Sequence, residues 1–209
     1  MSAHDGAPTL ARQGPAVKDD ASRRTTALRD FTVALREARE HCPGERAMIA
    51  HARELTVTFA ARQSEWLTEA MCVPDAVQGF GAHLLHEEPD HTLAAFVVSW
   101  LPGRGTPPHD HGSWAVIVGL RGSELNRMWR RLDDGGRPGH AVLAPASERA
   151  IAMGGVVAMP SGAIHSVRNE SDEVSVSLHV YGLHFNHARR SQFDPEARTE
   201  MPYQVRVSA

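Results

Sequence analysis

Apolar positions along this chain change their period once, near residue 80, and the change separates a helical part from a β-rich part. Before it, Leu28, Phe31, Leu35 and Ala38 recur at steps of three and four, the spacing that lines one face of an α-helix. Pro43-Gly44 closes that helix. Met48, Ala52, Leu55 and Phe59 form a second stripe, which Trp66, Leu67, Ala70 and Met71 continue up to Pro74. From Phe80 onward the apolar runs are short and β-rich, at 92–100, 115–122, 156–159 and 174–181, with Gly and Pro clusters between them. No helical run intervenes, so an antiparallel barrel or sandwich is predicted. The aromatic and Met positions of the helical stripes then read as core contacts between helices and barrel, not as cofactor contacts.

Residues 1–21 are rich in Ala, Gly, Pro and charge without periodicity and are expected to be mobile. The organisation predicted after them is a helical region, 22–78, packed on a β barrel, 79–209, within one structural domain. The tail from Gln192, broken by Pro195 and Pro202, is expected to pack across the outside. At 209 residues the chain can bury one sizeable core.

A net charge of -3 without a long basic run gives no electrostatic footprint for nucleic acid or an anionic membrane. Arg127, Arg130 and Arg131 are followed by Asp133 and Asp134, which reads as a solvated hairpin end. No apolar run approaches the roughly 18 residues of a membrane span, and the first two dozen residues lack the apolar segment of a secretory signal. A cytoplasmic protein, monomeric or a small homo-oligomer, is the expectation. Its two cysteines, Cys42 and Cys72, suit a reducing interior.

Candidate chemistry lies in two motifs. The first is Gly103, five residues, His109-Asp110-His111, three residues, Ala115, six residues, Gly122. The second is Gly154, five residues, Pro160-Ser161-Gly162, two residues, His165, three residues, Asn169. Side chains alternate along a strand, so His109 and His111 share a face while Asp110 points away. The Pro-x-Gly turn starts a new strand with His165 near its beginning. Three neutral imidazoles would bind a borderline first-row divalent ion and leave coordination positions open, which is a catalytic arrangement. Manganese, cobalt, nickel and zinc would satisfy the same donors as iron. A His-x-His pair alone is weak evidence among thirteen histidines; the third histidine and both sets of glycines give it weight.

Ser177, His179 and Tyr181 stand at i, i+2 and i+4 and share a strand face. They read either as a hydrogen-bonded row or as the polar outside of a strand whose Val174, Val176, Leu178 and Val180 fill the core. Periodicity alone does not separate the two.

The two motifs resemble the signature motifs of the cupins, the double-stranded β-helix or jelly-roll barrels, except that Ala115 stands where most cupins place a ligand Glu. A set of three histidines is similar to that of the thiol dioxygenases, the cysteine dioxygenase and 3-mercaptopropionate dioxygenase group. The resemblance covers about residues 80 to 190. It implies a mainly β cupin with N-terminal α-helices, holding Fe(II) on His109, His111 and His165, with a small thiol and O2 as its partners. Both oxygen atoms would pass to sulfur, giving a sulfinate. It also implies that Ser177, His179 and Tyr181 are the family's Ser-x-His-x-Tyr relay, with Tyr181 donating a hydrogen bond to the oxygen or to a polar group of the substrate. The Cys that some animal members crosslink to this Tyr is Ala115 here, so no crosslink is expected.

The family reads its substrate through an Arg or Gln that aligns with Ala82, and alanine can neither pair with a carboxylate nor donate to it. That leaves His83 or a displaced Arg to do so. Arg190, nine residues after Tyr181, matches a substrate-facing Arg of the 3-mercaptopropionate enzymes, or is a surface Arg at a strand exit. Arg168 is expected to point away from the metal. The small Ala82 would alternatively widen the pocket for mercaptosuccinate or a thione such as ergothioneine. Two other functions fit the ligand set: a three-His cupin that cleaves carbon-carbon bonds, and a non-catalytic cupin that binds a metal or small ligand. A 2-oxoglutarate oxygenase fits poorly, because His111 stands where its facial triad needs Asp.

Overall fold

A computed structural model describes residues 15–208. Two helices come first, α1 (Pro15–His41) and α2 (Glu45–Ala61), followed by two 3-10 turns at Gln63–Glu65 and Glu69–Cys72. The chain then runs through ten strands: β1 (Phe80–His86), β2 (Thr92–Trp100), β3 (Ala115–Arg121), β4 (Ser123–Arg131), β5 (Leu143–Ala152), β6 (Val156–Met159), β7 (Ile164–Arg168), β8 (Ser175–Leu183), β9 (Ser191–Asp194) and β10 (Thr199–Pro202). The result is a mainly β cupin fold with N-terminal helices. Among the described residues no helix is long and apolar enough to cross a membrane.

The barrel is built from a five-stranded sheet, ordered β1-β2-β8-β3-β6, and a three-stranded sheet, β5-β4-β7, with the hairpin β9-β10 beside them. All the strand pairings are antiparallel. The five-stranded sheet is covered on both faces. On one side Val97, Val116, Val118, Leu178 and Val180 pack against Ala27, Phe31 and Leu35 of α1 and Met48, Ala52 and Phe59 of α2. Those helix positions recur every three to four residues, so each helix turns one apolar stripe onto the sheet. Phe59 stacks between Phe31 and Trp66, with ring centroids 4.2 and 4.4 Å away, and anchors the annex. On the other side Ala94, Phe96, Ile117, Met159 and Tyr181 line the barrel interior.

Several expectations are corrected. Residues 15–21, expected to be mobile, belong to α1, and the expectation for 1–14 lies outside the described residues. The stripe through Trp66 and Met71 is carried by 3-10 turns and coil instead of helix, since buried contacts recur there without regular hydrogen bonding. Arg127, Arg130 and Arg131 lie on β4, and Arg131 ends it where the β4–β5 hairpin connection begins, so the cluster does run up to a hairpin end; Arg127 pairs with Glu148 across the ladder to β5, and Arg131 with Asp133 and Glu200. The tail does not merely cross the outside, because Tyr203 and Val205 pass inward and close one end of the barrel.

Candidate metal centre

His109 and His165 are held face to face by backbone. Each donates its N–H to the other's carbonyl, at 2.8 and 2.9 Å, as an isolated antiparallel bridge. His111 follows two residues later on the same face, and Asp110 turns away to accept N–H bonds from Gly112 and Ser191. Gly112 takes φ of 62°, and a Cβ there would meet the Arg189 carbonyl at 2.6 Å, so the turn after the second ligand needs glycine.

The three rings are at most 5% exposed, and one nitrogen from each converges to within 4.8 Å of the others. His109 Nδ1 meets the Pro107 carbonyl at 2.9 Å, and His165 Nδ1 meets Asn126 Oδ1 at 3.1 Å. Both contacts fix the proton on Nδ1 and leave Nε2 bare toward the centre. Burial, reinforced for His109 and His111 by the field of His165, keeps these two rings neutral far below the usual imidazole range. Burial, with the charge of Arg190, lowers His165 to about 3. The Nε2 atoms of His111 and His165 lie 3.2 Å apart. Lone pairs facing across that distance repel, and a cation between them removes the conflict. The donor set therefore fits a borderline divalent metal.

Ser177, His179 and Tyr181 are brought into one row. Ser177 Oγ lies 2.8 Å from His179 Nε2, and His179 Nδ1 lies 2.8 Å from the Tyr181 hydroxyl. Burial lowers His179 to about 3 and pushes the Tyr181 phenol above its ordinary value. The Tyr181 ring lies 5.0 Å from that of His111, so the row ends beside the three converging histidines. Ala115 pairs with Tyr181 across the ladder, where its methyl offers no thiol for a crosslink.

Arg190 is brought to the same place. It is 7% exposed, its guanidinium lies 4.3 Å over the Tyr203 ring and 5.3 Å over that of Phe185, and its Nε has no hydrogen-bond partner. Asp110 contributes a field but no ion pair. Burial lowers its pKa from the ordinary value, yet a guanidinium stays charged at neutral pH. Ala82 lines the pocket, whereas His83 does not: strand alternation sends its ring outward, where Nε2 contacts the Val73 carbonyl at 3.0 Å. Arg168 is exposed, away from the centre. The pocket that remains is about 30 Å³, walled by Phe80, Trp100, Val167, Phe185 and Val205 among others, with no carboxylate among the described residues of its lining.

Two residues that sequence reasoning missed complete the picture. Asn126 and Glu124 point inward from β4, and Asn126 Nδ2 donates to Glu124 Oε1 at 3.3 Å. Glu124 Oε2 in turn meets Ser177 Oγ at 3.0 Å. A continuous polar path thus leads from His165 to Tyr181. Its sequence signal was an inward Glu-x-Asn on a strand that also carried three arginines, and this read as polar surface.

A second convergence joins Glu87, His91 and His187 near the surface. There His91 Nδ1 contacts Glu87 at 2.7 Å, and the His91 and His187 rings stack face to face at 3.4 Å.

The chain is similar to solved structures at low identity. They include oxalate oxidase bound to glycolate (18% identity, TM-score 0.41, 55% of this chain and 54% of that one) and a double-stranded β-helix protein from Klebsiella pneumoniae (12%, 0.43, 61% and 96%). A third is the DMSP lyase DddQ from Ruegeria pomeroyi (24%, 0.42, 62% and 60%). The chain spans about half the length of the oxalate oxidase it matches. The sequence profile of the family described as cysteine dioxygenase type I matches residues 28–196, which takes in the second half of α1, all of α2, His109, His111 and His165, the Ser-His-Tyr row and Arg190, and the chain belongs to that family.

Proposed function

We propose that the protein is an Fe(II)-dependent thiol dioxygenase whose substrate is a short thiol carboxylate of the 3-mercaptopropionate type. The observation that carries this reading is a buried guanidinium that, among the described residues, has no anionic partner beside three converging imidazoles. Ferrous iron on His109, His111 and His165 would supply dioxygen activation and an attachment point for thiolate, a soft donor. Sulfur would leave as a sulfinate carrying both oxygen atoms.

The chain's own residues do the rest. Arg190 supplies an N–H fork for a carboxylate, and its stacking on Tyr203 and Phe185 limits where that fork can point. Tyr181, held by His179 and Ser177, directs its hydroxyl at the reacting groups. Phe80, Trp100 and Phe185 keep bulk water out.

Charge accounting selects among thiols. Cysteine carries an ammonium that this lining gives no carboxylate to meet. Mercaptosuccinate brings a second carboxylate, for which the pocket has no second cation. Ergothioneine is larger than a three-carbon thiol, and Phe80 and Trp100, which wall the pocket beside the small Ala82, would have to move further to admit it. Rates of oxygen uptake by iron-loaded protein with these four thiols test the reading. 3-Mercaptopropionate should lead; a clear preference for cysteine would overturn the assignment of Arg190, and no uptake with any thiol would overturn the activity.

A further inference from the structure

Glu124 is a buried carboxyl without a cation. It is 2% exposed, and among the described residues no arginine or lysine pairs with it. Its contacts come from several elements: Ser177 on β8 at 3.0 Å, Asn126 on its own strand at 3.3 Å, and Ile151 opposite on β5. Trp100 on β2 points its indole N–H at the same Ser177 hydroxyl, 3.5 Å away. The titratable groups facing it are His179 and Tyr181 of β8, with His165 of β7 beyond Asn126. Burial lifts the carboxyl to about 7.

The row from Tyr181 through His179 and Ser177 to Glu124 admits two arrangements, because each link carries one hydrogen. With Glu124 ionised, Ser177 must donate to it. Ser177 then accepts from Nε2–H of His179, whose bare Nδ1 accepts from Tyr181, and the phenol hydrogen is turned away from the pocket. With Glu124 protonated on Oε2, every bond reverses: Glu124 donates to Ser177, Ser177 to Nε2, and Nδ1–H to the phenol oxygen. The phenol hydrogen is then free to enter the pocket. One proton, on the carboxyl, separates the two states. His179 is neutral in both and changes only its tautomer.

We propose that protonation of Glu124 sets the direction of this row and so decides whether Tyr181 donates into the metal pocket. Glu124 is thereby a positioning residue, acting through three hydrogen bonds that cross from one sheet to the other. The proposal rests on the function above only for what Tyr181 donates to.

The test reads the tautomer of His179 directly, by 15N NMR of the full chain loaded with Zn²⁺, a diamagnetic stand-in. His179 should carry its proton on Nδ1 at about pH 6 and on Nε2 at about pH 8.5, with a midpoint near the Glu124 value. In Glu124→Gln the amide N–H donates to Ser177 and should hold Nδ1–H throughout; in Ser177→Ala the link is cut and the tautomer should ignore pH. With iron-loaded wild type, thiol oxidation should fall by about tenfold per pH unit above the midpoint, while Glu124→Gln should lose that alkaline decline. A single His179 tautomer across the range in wild type, or an unchanged decline in Glu124→Gln, would overturn the proposal. A tautomer switch in a protein that oxidises no thiol would keep the row and remove the proposed function. Oxidation without a switch would do the reverse.

Discussion

On β8, Val176, Leu178 and Val180 turn toward the helices while Ser177, His179 and Tyr181 turn into the barrel, and all six are at most 4% exposed. The two faces are equally dry and chemically opposite. On the helix side, burial of apolar surface stabilises the fold, and any apolar side chain of similar volume would serve. On the barrel side, dryness is tolerated only because each polar group meets a partner: Tyr181 meets His179, His179 meets Ser177, and Ser177 meets Glu124. Among the described residues the buried Ser99 and Ser175 hydroxyls and Arg190 Nε are unmatched, and of these only Arg190 lines the pocket beside the three histidines. Burial alone therefore does not distinguish scaffold from site. What distinguishes them is the bonding of the buried atoms.

This contrast can be broken in order of expected effect. Replacing His165 by Ala should abolish metal binding and lower thiol oxidation by more than the roughly 100-fold that loss of a supporting partner costs a metal site. Metal analysis and oxygen uptake on the same preparation check it. Leu178→Ala, one position from the row, should do the opposite. It should lose about 2–5 kcal/mol of stability in urea unfolding, as for other fully buried leucines, while keeping its metal.

Glu124 sharpens the comparison through pH. Its carboxyl is raised from 4.5 to about 7 in the fold, so between those values the native protein holds a proton that the unfolded chain has released. Stability is therefore greatest below about pH 4.5 for this group and falls as pH rises through 7, by about 3 kcal/mol in all. Glu124→Gln should flatten that slope in urea unfolding measured across the same window. Smallest is Arg190→Gln, which should leave the metal bound and raise KM for 3-mercaptopropionate by about 10- to 100-fold, the worth of a charged hydrogen bond of roughly 1.5–3 kcal/mol. Unchanged KM would place Arg190 in packing alone.

The same contrast accounts for what was legible in the sequence. His109, His111 and His165 could be read because strand alternation and glycine-bounded turns fix their directions over short spans. Ser177, His179 and Tyr181 could be placed on one face but not on one side of the sheet, since β8 is buried on both and the apolar alternation looks the same either way. Glu124 and Asn126 were hidden because Glu, Asn and Arg alternating on β4 resemble a solvated strand; only the closure of β4 against β8 turns the first two inward. Arg190 could not be told from Arg189 until the fold buried one and exposed the other. Tyr203, Val205 and Val207 alternate with Gln204, Arg206 and Ser208, but a stretch this short after Pro202 does not say what its apolar face meets, and the place of Tyr203 and Val205 over the pocket follows from long-range contacts such as Asn186 to Val205.

The most direct test of the central claim is to supply iron-loaded protein with 3-mercaptopropionate under 18O-labelled dioxygen and weigh the product. A sulfinate carrying both labelled atoms, formed by wild type and not by His165→Ala, is the predicted result. A disulfide, a product with one label or none, or equal turnover by His165→Ala would contradict it.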